Sequence, residues 1–236
     1  MHIAICFWGI CRSTDKTIES IKKCLYEPLT KAGHTYHVYV HTFSLSTKLN
    51  NPRAKEHNIT VNNELYHLLE PTHVLIEDQH TVDGTLNAPL YQTQADPWSN
   101  NYITHTNHVR ALYSLMQVTS MWSETLYDRV IYARPDVQFH NPLNLDWLNV
   151  DKNTIVLPNF HAYPVNDRFA LGSPSTMKIY GSRFKQALDY SQLKPLHSET
   201  YLAYIFNTHN LQAKSVVFNF CRVRADKQPC PWDPQS

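Results

Sequence analysis

The sequence predicts an α/β domain in which a central, mostly parallel sheet is flanked by helices. His2–Phe7 reads as a buried first strand, and the uninterrupted apolar run Val130–Ala133 has the composition of a strand covered on both faces. Between such runs lie stretches with apolar residues at helical steps: Ile18, Ile21, Leu25 and Leu29, then Val109, Leu112, Leu115 and Met116. Strands that alternate with helices in this way form parallel sheets rather than hairpins.

In chain order, the first strand ends in a turn, Trp8–Thr14, which carries Gly9. A helix follows, with Ser13 or Thr14 as N-cap and Gly33 as its stop. Tyr36–Val40 reads as the second strand, with His41, Thr42 and Phe43 at its carboxyl end beside the first turn if the crossover is right-handed. Residues 48–58 are polar and read as a loop, 62–69 as a short helix and His73–Glu77 as a third strand. From Asp78 to Asn101 the chain is rich in Asn, Gln, Thr and Pro, the composition of a lid or binding loop. Thr104–Trp122 is a helix that feeds the central strand at Val130. Beyond it, Thr154–Leu157 is a strand, the stretch ending at Gly172 is apolar, and Pro174–Leu188 is a helix with Pro in its first turn. Glu199–Phe206 is a further helix that Ser198 can cap, and Ala213–Arg224 is a last strand. The Pro-rich tail from Ala225 need not be ordered. Two halves are expected within one domain, 1–139 and 140–225.

Composition narrows the function. The 236 residues, 42% of them hydrophobic, suffice for a sizeable core. The 21 Lys and Arg almost cancel the 20 Asp and Glu, so no broad field marks nucleic acid or an anionic membrane as partner. None of the 14 His or five Cys falls into a zinc-ligand spacing, and the odd cysteine count favours reduced thiols in a cytosol-like compartment. No apolar run approaches membrane-spanning length, so a soluble, cytoplasmic protein is expected.

The residues that carry chemistry cluster at predicted strand ends. Arg134-Pro135-Asp136 follows the central strand, where Pro135 withholds a ladder donor and pairing should stop. Open α/β sheets hold ligands at this end. One carboxylate there can bind Mg²⁺ or Mn²⁺ against a diphosphate, or Asp136 and Arg134 can simply pair with each other. The helix amino end after the Phe7–Arg12 turn suits phosphate, His41 is a neighbour of that turn, and Arg110 shares a helical stripe with Asn107 and Ser114. Asn166-Asp167-Arg168 places three polar residues before an apolar segment, an arrangement costly when buried unless they are paired with one another or bound to something. His197 and Glu199 stand at a helix amino end, where capping accounts for Ser198 but not for both of them. Trp8, Trp98 and Tyr132 can stack on a sugar or base or pack in the core.

Tyr127–Asp136, Val165–Gly172, Leu196–Thr200 and Phe220–Arg224 together resemble a family of small glycosyltransferases of large algal viruses, microalgae and bacteria, itself similar to the GT-A class. The likeness runs over residues 1–225 and implies a GT-A-like, Rossmann-related domain that moves a sugar from a UDP- or GDP-sugar to a glycan or glycoprotein. It implies Asp136 as the carboxylate for Mn²⁺ or Mg²⁺ in place of the class's Asp-x-Asp, with Arg134 at the first position. It also implies Phe7, Trp8, Gly9, Arg12, His41, Arg110, Arg134, Asp136 and Arg168 around the donor. Glu199, Asp167 and His197 would then serve catalysis, and a viral member would work in the host cytoplasm. On this reading Asp136, Asp167 and Glu199 meet in one cleft. Two other readings stand beside it: a metal-dependent phosphoesterase or nuclease with two cations, and a noncatalytic carbohydrate-binding domain.

Overall fold

The structure, a computed structural model, describes residues 1–234. Its frame is a seven-stranded sheet. In chain order the strands are β1 (His2–Trp8), β2 (Thr35–Ser44), β5 (His73–Asp78), β6 (Arg129–Ala133), β8 (Thr154–Pro158), β9 (Phe169–Gly172) and β10 (Gln212–Val216), and across the sheet they run β10-β8-β9-β6-β1-β2-β5. All pairs are parallel except those of β9, which runs against both β6 and β8. The helices are α1 (Thr14–Ile21), α2 (Glu27–Lys31), α3 (Gln79–Leu86), α4 (Ile103–Ser120), α5 (Pro174–Gly181), α6 (Phe184–Leu193) and α7 (Ser198–Thr208).

The apolar runs are buried on both sides, as their composition requires. Ile3, Ile5 and Phe7 of β1 pack with Ile18, Ile21 and Leu25 on one face. Ala4, Cys6 and Trp8 pack with Leu115, Val118 and Leu202 on the other. The expected α/β class is therefore present, with one sheet shared by both halves: β6 of the first pairs β9 of the second. Among the described residues no helix is long and apolar enough to cross a membrane.

Several elements differ from the sequence expectation for identifiable reasons. A π-helical turn, Lys22–Tyr26, joins α1 to α2, where Pro28 lacks a donor for the ladder. Strand β2 runs four residues past Val40, so His41 lies inside it. The polar stretch expected as a loop forms a hairpin, β3 (Leu49–Asn51) with β4 (Glu56–Ile59). Within the expected lid, Asp78 caps α3 through Thr81 N–H, and Val82 and Leu86 pack on Phe43. One helix expected after Pro174 is two, broken at Ser182 and Arg183. Helix α7 is not capped by Ser198, whose hydroxyl instead donates to Glu199. The expected last strand splits between sheets: β10 ends at Val216, and β11 (Phe220–Arg222) pairs antiparallel with β7 (Val137–Phe139). The tail packs down as well, with Cys230 and Asp233 buried and Asp233 bound to Arg222.

Candidate functional site

Strand order fixes where a ligand can sit. The chain steps from β1 to β2 on one side and to β6 on the other, so a crevice opens at the carboxyl ends of β1 and β6. Phe7 is in register with Ala133, which brings the next residues, Trp8 and Arg134, side by side with the guanidinium 5.2 Å from the indole centroid. Because β9 is reversed, its first residue Phe169 lies opposite Ala133, and Asp167 and Arg168 arrive at the same rim. The small sheet adds Arg222 and Arg224, held by a bond from Val223 N–H to the Asp136 carbonyl (2.8 Å). The rim encloses a cavity of about 900 Å³, toward the upper end for small-molecule sites. Among the described residues seven arginines and two carboxylates line it: Arg12, Arg53, Arg110, Arg134, Arg168, Arg222 and Arg224, with Asp167 and Glu199.

Asp136 is not among the lining residues. It is fully buried behind the wall, with its carboxylate between two guanidiniums. Arg134 donates Nε to Oδ1 (2.8 Å) and Nη2 to Oδ2 (2.9 Å), while Arg12 donates Nη2 (2.7 Å) and Nε (3.2 Å) to Oδ2. Burial alone would raise the Asp136 pKa; the charges of Arg134 and then Arg12 outweigh it and hold the carboxyl well below the usual range. Arg12 also donates to buried Glu56 (2.8 Å), whose other oxygen accepts from Ala225 N–H (2.7 Å). This chain of charge ties the β3–β4 hairpin and the tail to the strand ends. A divalent ion at Asp136 would have to displace a guanidinium, and among the described residues no three His, Cys, Asp or Glu side chains gather as a metal site. The expected metal role of Asp136 does not fit this arrangement. Of the three carboxylates expected in one cleft, Asp167 and Glu199 face the cavity and Asp136 stands behind it.

Asp167 faces the cavity without a hydrogen bond to its carboxylate among the described residues. Burial works to raise its pKa, but Arg168, His108, Arg183 and Arg134 together hold it below the ordinary value, so it is ionised at neutral pH. His108 is driven the other way, down to about 3, chiefly by burial, and its Nε2 has no partner among the described residues. It is a neutral imidazole in the cavity wall. Glu199 accepts from Ser198 Oγ (3.0 Å), lies 3.9 Å from Arg168 Nη2 and has His197 Nδ1 at 3.2 Å, outside hydrogen-bonding geometry. His197 stacks on Trp98, with centroids 5.0 Å apart, and Arg53 of the hairpin reaches the same indole at 6.0 Å. Arg168 Nη1 is buried without a partner among the described residues.

Other expected residues fall in different places. Gly9 takes φ +97°, open to glycine and strained for other residues, and donates its N–H to Ser114 Oγ (2.8 Å). His41 is buried outside the cavity wall, linking Ser114 Oγ (2.6 Å) to Glu77 (2.8 Å), so it braces the Gly9 turn rather than meeting a ligand. Phe7 and Tyr132 are core residues. Arg110 lines the cavity, yet its Nε and Nη2 are engaged bidentately by Asp83 (2.7 Å each). His108, Arg53, Arg222 and Arg224 are cavity residues not expected from sequence. For the last two a signal existed, since Arg222-Val223-Arg224 puts both guanidiniums on one face of an extended segment. Neither a protein-family profile nor a curated protein sequence matches the chain.

Proposed function

We propose that the protein is a glycosyltransferase that takes its sugar from a nucleoside-diphosphate donor and passes it to a hydroxyl of a glycan or glycoprotein. The observation that carries this reading is the charge of the cavity: seven guanidiniums line it, with the Asp167 and Glu199 carboxylates set among them. Guanidiniums match phosphate oxygens bidentately. The carboxylates suit the hydroxyls of a sugar. Ile10 and Phe43 pack together in the cavity lining beside the Gly9 turn, an apolar surface fit for a nucleoside. The mostly parallel sheet and the motif likeness support a GT-A-like assignment of this fold.

In the reaction the acceptor oxygen bonds to the anomeric carbon as the bond from that carbon to the diphosphate oxygen breaks. The electron pair of the broken bond leaves on the diphosphate, where cavity arginines neutralise it. Glu199 takes the acceptor proton, and Asp167 accepts hydrogen bonds from the sugar hydroxyls. Crowding of arginines around Asp167 and Glu199 favours an anionic ligand over the two cations of a phosphoesterase. The test is a thermal melt with UDP, GDP and their sugar conjugates. A ligand at 100 times its Kd stabilises the native state by about 2.7 kcal/mol, which at this size raises Tm by about 5–11 °C. Equal Tm with and without every nucleotide would defeat the proposal.

A further inference from the structure

We infer that this site holds its nucleoside diphosphate without a divalent cation, with the Arg134 guanidinium standing where a metal would be and Asp136 acting as the positioning residue of that guanidinium. The inference rests on the glycosyltransferase reading and deepens it.

Asp136 grips Arg134 through Nε and Nη2, which fixes the plane of the guanidinium and leaves Nη1 outside the pair. Nη1 lies 4.0 Å from where a Gly9 Cβ would be, in the turn that lines the cavity. Trp8 packs against the same guanidinium and narrows its freedom further. A held fork of this kind offers directed N–H donors as well as charge.

The surrounding field points the same way. Among the described residues Arg168 keeps a buried Nη1 without a partner, Arg53 has no carboxylate partner, and the Arg224 side chain donates to the Cys230 sulfur alone (3.5 Å). After burial, the Arg222 charge pushes the pKa values of Arg53 and Arg168 down, and Arg12 and Arg222 together do the same to Arg224, while Arg222 itself is held up against burial by its pairing with Asp233. A divalent cation would add to that repulsion. An anion of two or three charges relieves it.

The experiment is calorimetric titration of UDP and of GDP into the full chain, once in EDTA and once in MnCl₂. The expected result is binding of one nucleotide in EDTA, with a Kd within about twofold of that in Mn²⁺. Arg134→Ala should weaken binding at least tenfold in both buffers. Asp136→Asn should weaken it by one factor in both, because a positioning residue acts regardless of the cation whereas a metal ligand would matter in Mn²⁺ alone. Circular dichroism of each variant checks that it is folded, and the wild-type comparison needs no variant. Binding that appears in Mn²⁺ and vanishes in EDTA would overturn the inference while leaving the glycosyltransferase reading in place. No binding of either nucleotide in either buffer would overturn both.

Discussion

Replacing Asp136 by Asn tests whether the carboxylate organises the site from behind. The substitution keeps the shape of the side chain and removes its charge. Four N–H donations from Arg12 and Arg134 now end on the carboxylate, at 2.7–3.2 Å. An amide accepts on its oxygen alone, so one side would set NH₂ against guanidinium N–H groups. Breaking a buried, hydrogen-bonded charge pair by removing one partner costs about 3–5 kcal/mol. For a chain of this size that lowers Tm by roughly 6–20 °C. The pH dependence follows from the sign of the shift. Asp136 has its pKa lowered in the folded state, so its contribution is complete above the unfolded value near 4 and fades as pH falls toward the lower folded value. Calorimetric melts of both proteins should differ by the full amount at pH 7 and converge below about pH 4. A variant within about 1 kcal/mol of wild type at pH 7, or a gap unchanged by acid, would refute the reasoning.

Three further outcomes are expected. His108 carries a pKa of about 3 in the fold, so the unfolded chain binds its proton first and stability should decline as pH falls from about 6.5 toward 3, by on the order of 4 kcal/mol at the acid end. His108→Gln should flatten that slope in acid-denaturation curves, and an unchanged slope would place the proton elsewhere. A Cβ on Gly181 would strike the hydroxyls of Thr119 and Tyr132, so Gly181→Ala should lower stability by about 1–3 kcal/mol in urea titrations; a neutral effect would mean that α5 can shift away from α4. Glu56→Gln weakens the tie from the β3–β4 hairpin to Arg12, so amide exchange in Leu49–Ile59 should quicken at least tenfold while β1 stays protected.

The frame was legible because burial on both faces leaves a plain mark. Val130–Ala133 and Ile3–Phe7 are uninterrupted apolar runs and became the central strands. Helical spacing of Val109, Leu112 and Leu115 marked α4 in the same way. Elements made by capping and pairing of polar residues left no such pattern. The hairpin at Leu49–Ile59 has alternation too short to read, and α3 depends on one Asp78 cap and two apolar residues. In the site, Asp167, Arg168, His197 and Glu199 were visible as polar residues placed at the edges of apolar elements. Asp136 shows the opposite limit. Its place at a strand end was readable, but a carboxylate that faces a ligand and one that faces two arginines have the same sequence around them. The deciding partner, Arg12, is 124 residues away.

The central claim is most directly tested by measuring nucleoside-diphosphate release from a panel of UDP- and GDP-sugars, in the presence of oligosaccharide acceptors, by wild-type protein and by Glu199→Gln. The account predicts release from one donor by the wild type, and a rate lowered by roughly 10²–10⁴ in the variant while donor binding is kept. Equal rates in the two proteins, or a donor that binds the wild type and is never turned over, would contradict it.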